Sequence, residues 1–478
     1  MLLPASAKVL TRTYLGDSSR DKLHLEILND FAPLLLLSSF ELPQFDSDKM
    51  EWNGFSSVIT DVCYKKYGSL PKSGKPHTDG SQWTSCAAIV KRNSDGTLKV
   101  VSLATGSRCI GKSRLNATGT LVHDSHAEVL ARRGFLRYLY EQIEMFQRRG
   151  TSDVIEESNF TIEKFKLKDS VEFHFFSSHI PCGDASIIPK CDGDEGLFNG
   201  NNRREECKCF DSKRKLSDSE TEDRCKKSKM DCFLMSTCPL NRAQKNQQEN
   251  SVYDVFRTGA KCVPSDSRQD ALLPGVKYHS LGAVRTKPGR GDPTMSVSCS
   301  DKIARWNAVG IQGALLSHLL EHPIFLKTIV IGGGGPFCEE SILRALVKRF
   351  NAADIHIPLI MRSSIVFTHA RYGKPTSQPA PASIIWCDVS QKPLEIGVDG
   401  KKQGATKGAK NDYLLVCRKS LFQKFISLTG EKFKSQTYFD CKQAAEAYQC
   451  AWKLRKSQLG AWTEKPPELQ HFKIDNPT

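Results

Sequence analysis

No uninterrupted run of eighteen apolar residues occurs in the chain, so no membrane-crossing helix is expected. Met1 to Leu10 carries a single Lys and no long apolar core, which argues against a secretory leader. No internal repeat is visible, which sets aside solenoids and propellers. The glycine run Gly332 to Gly335 lacks the Gly-Lys-Ser/Thr ending of a phosphate-binding loop and reads as a permissive strand-to-helix turn. The chain holds seventeen cysteines. In 478 residues without a leader they read as free thiols and metal ligands in a reducing compartment. Acidic residues are too few to balance the basic ones, 53 against 68, leaving a net charge of +15. Residues 401–460 alone hold thirteen Lys/Arg and four Asp/Glu. That excess fits a solvated basic face or a polyanionic partner, of which nucleic acid is the commonest.

Three fragments stand out against this background: His126-Ala-Glu128, Pro181-Cys182-Gly183-Asp184 and Cys299 in Ser298-Cys299-Ser300-Asp301-Lys302. One His and two Cys hold a catalytic zinc ion with its fourth position open to water. A Glu two residues from the His can move that water's proton to a leaving amine. Nucleobase deaminases use this set, usually as H-x-E followed by P-C-x-x-C. Here the second half is split, because Ala185 occupies the second cysteine's place. Spacing alone does not choose among the cysteines. Context favours Cys299, just before the apolar run Ile303 to Leu320, which reads as a buried helix whose positive dipole end suits a thiolate. His126 follows the cap-forming Asp124 and Ser125, with helix predicted from Ala127 to Tyr140. Cys182 follows a predicted strand, Val171 to Ser178. Taken one at a time, these residues also read as a helix-capping histidine and two ordinary buried cysteines.

Taken together, Asp124-Ser-His-Ala-Glu-Val-Leu-Ala-Arg-Arg133, Ser178-His-Ile-Pro-Cys-Gly-Asp-Ala-Ser186, Met295-Ser-Val-Ser-Cys-Ser-Asp-Lys-Ile-Ala-Arg-Trp-Asn307 and Leu459-Gly-Ala-Trp-Thr-Glu-Lys-Pro466 resemble the RNA-editing adenosine deaminase family. Tyr253-Asp-Val-Phe-Arg-Thr-Gly-Ala-Lys-Cys-Val-Pro264 and Lys287-Pro-Gly-Arg-Gly-Asp292 are similar to its tRNA-specific branch. The resemblance covers residues 50 to 475 and implies zinc-dependent hydrolysis of adenosine to inosine at adenosine 37 of alanine tRNA. It implies a cytidine-deaminase-like α-β-α sandwich (α/β) with a C-terminal helical region. His126, Cys182 and Cys299 would hold zinc, and Glu128 would carry the proton.

The family also holds inositol hexakisphosphate in its core. Its matching positions here include Arg132, Arg133, Lys302 and Arg305, on the two ligand-bearing helices. The others lie near the C-terminus: Tyr438, Lys442, Tyr448, Trp462, Glu464 and Lys465. One further Lys is expected from Lys407 to Lys410. The pattern departs from the family at His123, where Asn is usual, at Trp452, where some members have Lys, and at Gln470, where some have Asp. Ser107 and Arg108 match a substrate-contacting turn usually built from Thr and Lys. Arg290 matches the middle of a Gly-x-Gly loop that enters the nucleic acid and is acidic in duplex-RNA editors. The predicted helix Phe439 to Gln458 would carry Lys442 and Tyr448.

Elsewhere the pattern reads as strands at 84–92 and 99–104, joined by Asn93-Ser-Asp-Gly96, and another at Ile329 to Ile331. Strand and helix alternate as an α/β sandwich requires. Residues 1–49 are expected to be a disordered extension ahead of one deaminase domain, 50–475. Residues 190–250 are polar and aperiodic, and are expected to be a disordered insert. Lys213-Arg-Lys215 and Lys226-Lys-Ser-Lys229 fit a two-part nuclear import signal, so residence in nucleus, cytoplasm or both is expected. The six cysteines from Cys191 to Cys238 show no paired metal-binding spacing. No membrane association and no obligate protein partner are expected. Three rival readings are a duplex- or messenger-RNA editor, a free-nucleoside or cytidine deaminase, and a catalytically silent RNA-binding relative. The first needs RNA-binding modules for which 49 residues are too few. The second normally has P-C-x-x-C, and the third loses a catalytic residue that is intact here.

Overall fold

The computed structural model describes residues 49–159, 161, 163–191, 252–289, 291–371, 376–406 and 412–474. The expectations for residues 1–48, nearly all of the 190–250 insert with its import signal and cysteines, Arg290, and Lys407 to Lys410 fall outside these residues. Two units are distinguished, 1–53 and 54–478. Of the first, only the opening turn of a helix is described; everything below concerns the second.

An eight-stranded mixed sheet forms the centre. Its strands are β1 (Cys86–Arg92), β2 (Leu98–Thr105), β3 (Glu172–Ser177), β4 (Thr328–Gly333), β5 (Leu359–Val366), β6 (Ala382–Cys387), β7 (Leu394–Val398) and β8 (Lys401–Lys402). Their order across the sheet is β5-β4-β3-β1-β2-β6-β7-β8. The β3–β4 and β4–β5 pairs are parallel and the rest antiparallel. Asn93 to Gly96 closes the β1–β2 hairpin as expected, with Gly96 in the left-handed region at φ 81°.

Both faces of the sheet are buried at its centre because the central strands carry apolar side chains on both sides. Ala87, Ile89, Phe173, Phe175, Ile329 and Ile331 face one core. Cys86, Ala88, Val90, Phe176, Val330 and Ile384 face the other. Helix α1 (Lys49–Ser69) covers the second face through Ile59, Cys63 and Tyr67. Helices α2 (Ala127–Arg149) and α3 (Cys299–Val309) cover the first. The result is an α/β fold with helices on both sheet faces.

Two predicted helices end differently from expectation. The apolar run from Ile303 to Leu320 does not stay helical: α3 stops at Gly310, φ 86°, and a short turn of helix resumes at Gly313–Leu316. Gly310 is open to this conformation at little cost. The predicted Phe439–Gln458 helix is two helices, Tyr438–Gln443 and α5 (Glu446–Leu459), preceded by α4 (Arg418–Thr429). Thr437 and Asp440 form a capping box that fixes where Tyr438–Gln443 starts.

The chain leaves for the 192–251 segment and returns from it side by side. Pro189–Cys191 and Val252–Val255 pair as antiparallel strands.

Candidate active site

Helix α2 buries Ala127, Leu130, Ala131, Gly134, Phe135 and Tyr138, a stripe at three- and four-residue spacing. Its register fixes His126 at the N-cap position, extended at φ −66°, ψ 142°. Asp124 and Ser125 do not cap it, contrary to the sequence reading. Asp124–His126 instead pairs as a short strand with Ser107–Cys109, and Asp124 Oδ1 accepts from the His126 amide at 3.0 Å.

Cys182 lies on the loop after β3. Gly183 there has φ 107°, and a Cβ would come within 2.1 Å of Ser298 Oγ and 2.4 Å of Ser300 Oγ. Only glycine allows this approach. Through it the Cys182 carbonyl accepts from the Ser300 amide at 3.0 Å. The Cys182 sulfur accepts from the Cys299 amide at 3.4 Å. Cys299 is the first residue of α3, whose Ser298 cap accepts from the Asp301 amide at 3.2 Å.

These three elements bring the ligand candidates together. Cys299 Sγ is 3.5 Å and Cys182 Sγ 4.0 Å from His126 Nδ1, and all three atoms lie within 4.8 Å of one another. A tetrahedral zinc site with ordinary bond lengths has ligand–ligand edges of about 3.5–3.8 Å, so the donor set fits zinc in both chemistry and spacing. Glu128, in the first turn of α2, supplies a second test. It is buried, and among the described residues its Oε2 has no hydrogen-bond partner. Such an orphan acceptor is costly unless a water or substrate group meets it.

A second cluster, Cys109, Asp124 and His126, has similar spacing. It does not suit a metal, because two ammonium groups already occupy Asp124. Lys287 Nζ contacts its oxygens at 3.1 and 2.8 Å, and Lys302 Nζ bonds the second oxygen as well. Ser296 Oγ donates to Asp124 at 2.6 Å. Burial works to raise the Asp124 pKa, but Lys287 and Lys302 hold it well below the carboxylate range. Lys287 also donates to Cys299 Sγ at 3.1 Å. A hydrogen bond from Cys299, helped by the charge of Lys287, draws the Cys182 thiol well below its usual range, while burial pushes Cys299 up.

His126 and Cys182 line a cavity of about 530 Å³, together with Ser107, Arg108, Lys287, Gly259 and others. The volume suits one nucleoside. Ser107 Oγ is buried with no partner among the described residues, and Arg108 Nη2 donates to the Pro379 carbonyl at 2.8 Å.

Behind this cavity lies a cation cluster. Arg132 and Arg133 leave α2 to meet the Ile311 and Val416 carbonyls at 2.8 and 2.5 Å. Arg305 on α3 lies over the Trp452 ring at 4.3 Å and the Tyr448 ring at 5.6 Å. Trp462 meets Trp452 edge-on, with ring centroids 5.0 Å apart. Lys442 sits 5.3 Å from the Tyr438 ring centroid and donates to Gln470 at 2.8 Å. Lys465 donates to His123 Nδ1 at 3.0 Å. Glu464 faces away: its carboxylate is exposed and pairs with Lys456. Among the described residues none of Arg132, Arg133, Arg305, Arg418, Lys442 and Lys465 has a carboxylate partner. Burial, reinforced by its cationic neighbours, draws Lys465 well below an amine's usual pKa and Arg132 down to about 10. Burial and the same charges push His123 down to about 2.

The sequence reading missed three participants. Lys287 was legible only as part of a matched stretch, and no spacing ties it to Cys299. Asp124 reads as a cap in sequence, whereas in the fold it is the carboxylate between Lys287 and Lys302. Arg418 was hidden in the general basic excess of 401–460, yet it contacts His123 and the Leu469 carbonyl inside the cluster.

The chain matches the family model of the adenosine-deaminase (editase) domain over residues 102–466. It is 34% identical to human tRNA-specific adenosine deaminase 1, over 87% of this chain and 99% of that protein. To the Drosophila melanogaster protein of the same name it is 35% identical, over 87% and 96%. Mouse double-stranded RNA-specific adenosine deaminase is 26% identical over 87% of this chain, which corresponds to 32% of that protein.

Proposed function

The chain belongs to the adenosine-deaminase (editase) family, and from that premise we propose that it hydrolyses adenosine to inosine in tRNA, at adenosine 37 of alanine tRNA. The observation that carries the reaction is the convergence of His126 Nδ1, Cys182 Sγ and Cys299 Sγ within 4.8 Å of one another, beside a buried Glu128 whose Oε2 has no partner among the described residues. The choice of tRNA is supported by the higher identity, over nearly their whole length, to relatives named as tRNA-specific.

His126, Cys182 and Cys299 would hold one zinc ion, which supplies the Lewis acidity that lets water lose a proton at neutral pH. Glu128 takes that proton, passes it to the purine ring and then to the departing amine. Water and adenosine thereby become inosine and ammonia. Lys287 keeps positive charge against Cys299, and Asp124 holds the His126 amide so that the imidazole points at the two sulfurs. The cavity accepts a base extruded from its stack. Ser107 and Arg108 border the bound nucleoside, and Arg290 belongs to the loop that would meet the RNA.

The cation cluster supports a buried polyanion. Buried like charges without acids are unstable alone, and inositol hexakisphosphate has the charge and size to neutralise them. Arg132, Arg133, Lys302, Arg305, Arg418, Lys442 and Lys465 would hold it, with Tyr438, Tyr448 and Trp462 around it. The core, a zinc-bearing sheet between helices, is then a cytidine-deaminase-like sandwich with the C-terminal helices closing the polyanion pocket. Residues 1–49 lie ahead of it and 190–250 interrupt it. The basic pairs at 213–229 would direct nuclear import, leaving nucleus and cytoplasm as its compartments.

The test is inosine formation in purified alanine tRNA, with duplex RNA and free adenosine in parallel. Inosine at position 37 of the tRNA alone is the expected result. Inosine in the duplex would replace this reading with messenger editing.

A further inference from the structure

The cavity that contains His126 and Cys182 is also lined by the turn Thr258-Gly259-Ala260. Two of its members are pinned. The Thr258 amide donates to His279 Nε2 at 3.2 Å, and His279 Nδ1 lies 3.1 Å from Asp270. Asp270 takes both arms of the fully buried Arg285, at 2.7 and 2.6 Å. Arg285 in turn donates to the Ala260 carbonyl at 3.1 Å, and the Ala260 amide reaches Thr258 Oγ1 at 3.4 Å. This wall cannot retreat without breaking the hydrogen bonds to His279 and to the fully buried Arg285, which would leave buried polar groups unpaired at a cost of about 1–3 kcal/mol each.

Among the described residues Gly259 itself has no such tie. It is exposed to the cavity, its φ is outside the left-handed region, and among the described residues a Cβ there would meet only Pro288 Cγ, at an ordinary 3.8 Å. Two other glycines differ. A Cβ on Gly111 would lie 2.1 Å from Asp292 Oδ2, and one on Gly289 would lie 1.7 Å from the Asp292 carbonyl. Packing within the protein requires those two to be glycine. It does not require Gly259.

We infer that Gly259 is a specificity-determining position: its missing side chain leaves clearance, on a wall that cannot yield, for the RNA strand beside the target adenosine. This rests on the reading of the chain as an RNA deaminase. A nucleotide turned out of its stack brings its flanking phosphates to the mouth of the pocket. A bare stretch of backbone permits the closest approach a strand can make.

The experiment compares the full-length zinc-loaded protein with its Gly259→Ala and Gly259→Leu variants. Affinity for a fluorescent alanine-tRNA transcript, single-turnover inosine formation, zinc content and thermal midpoint are measured for each. Expected are a small loss of affinity for Ala and a loss of roughly tenfold or more for Leu. Zinc content should be unchanged and the midpoint should stay within about 2 °C. A Leu variant that binds as tightly as the wild type overturns the inference. So does one whose midpoint collapses, since the glycine would then serve the fold. Wild-type protein that binds the transcript without forming inosine would count against the editing reaction, while the affinities would still decide the role of Gly259.

Discussion

Lys287 touches the carboxylate of Asp124 and the sulfur of Cys299 at once. Replacing it with Met leaves Asp124 with one buried cation fewer and the sulfur pair without its nearest positive charge. The loss of such outer-shell partners typically weakens metal binding by about 10–100-fold, and chelator competition should show a drop of that order. Glu128 is expected to behave oppositely. Glu128→Gln should keep zinc and thermal midpoint while turnover falls by roughly 10²–10⁴; near-normal rates would remove Glu128 from the mechanism. At this scale the ligand candidates were legible because H-x-E and Pro-Cys-Gly carry chemistry in their spacing. Lys287 and Arg418 were not, because a lone cation acquires meaning only from what the fold packs against it.

At the scale of elements, the site depends on two helix starts and a strand end meeting at one point. Gly183 makes the meeting possible, since its φ of 107° and the serine hydroxyls within 2.4 Å of a would-be Cβ leave no room for a side chain. Gly183→Ala should therefore lower stability by about 2 kcal/mol or more, read as an earlier urea midpoint together with a reduced zinc content. Strands β1 to β4 could be anticipated from short apolar runs between turn residues. The break of α3 at Gly310 could not, because the apolar run continues through it and only the backbone angle records the stop. The split at Gln443 has a similar cause: Gln443 to Glu446 is good helix-forming sequence, so tertiary packing sets the boundary.

For the whole molecule, charge is the main issue. Native mass spectrometry of purified protein should find one zinc and one highly phosphorylated inositol per chain. Arg418→Glu should abolish the second and lower the thermal midpoint. The main sheet adds a separate acid sensitivity. His174 in β3 is fully buried, with Nδ1 at 3.0 Å from Thr328 Oγ1, and burial pushes its pKa down to about 4. Between pH 6.5 and 4 the unfolded chain binds a proton there that the folded chain refuses. Stability should thus fall as pH drops through that window, by on the order of 3 kcal/mol, and change no further from this group below it. Urea unfolding of wild type and His174→Asn at pH 7 and pH 5 checks this; the variant should lose part of the slope. The overall α/β class was readable from the alternation of strand and helix patterns. The clustering of distant cations was only partly readable, since sequence gives their number and not their neighbours.

Because Pro189–Cys191 and Val252–Val255 are hydrogen-bonded to each other, the two ends of the 192–251 segment are tied independently of what lies between them. The paired strands hold the two points of departure next to each other, and loop-closure cost grows only slowly with added residues. Replacing 192–251 with a short Asn-Gly connector is therefore expected to leave the thermal midpoint and zinc content near those of the full chain, since the paired strands already bring the two cut ends together.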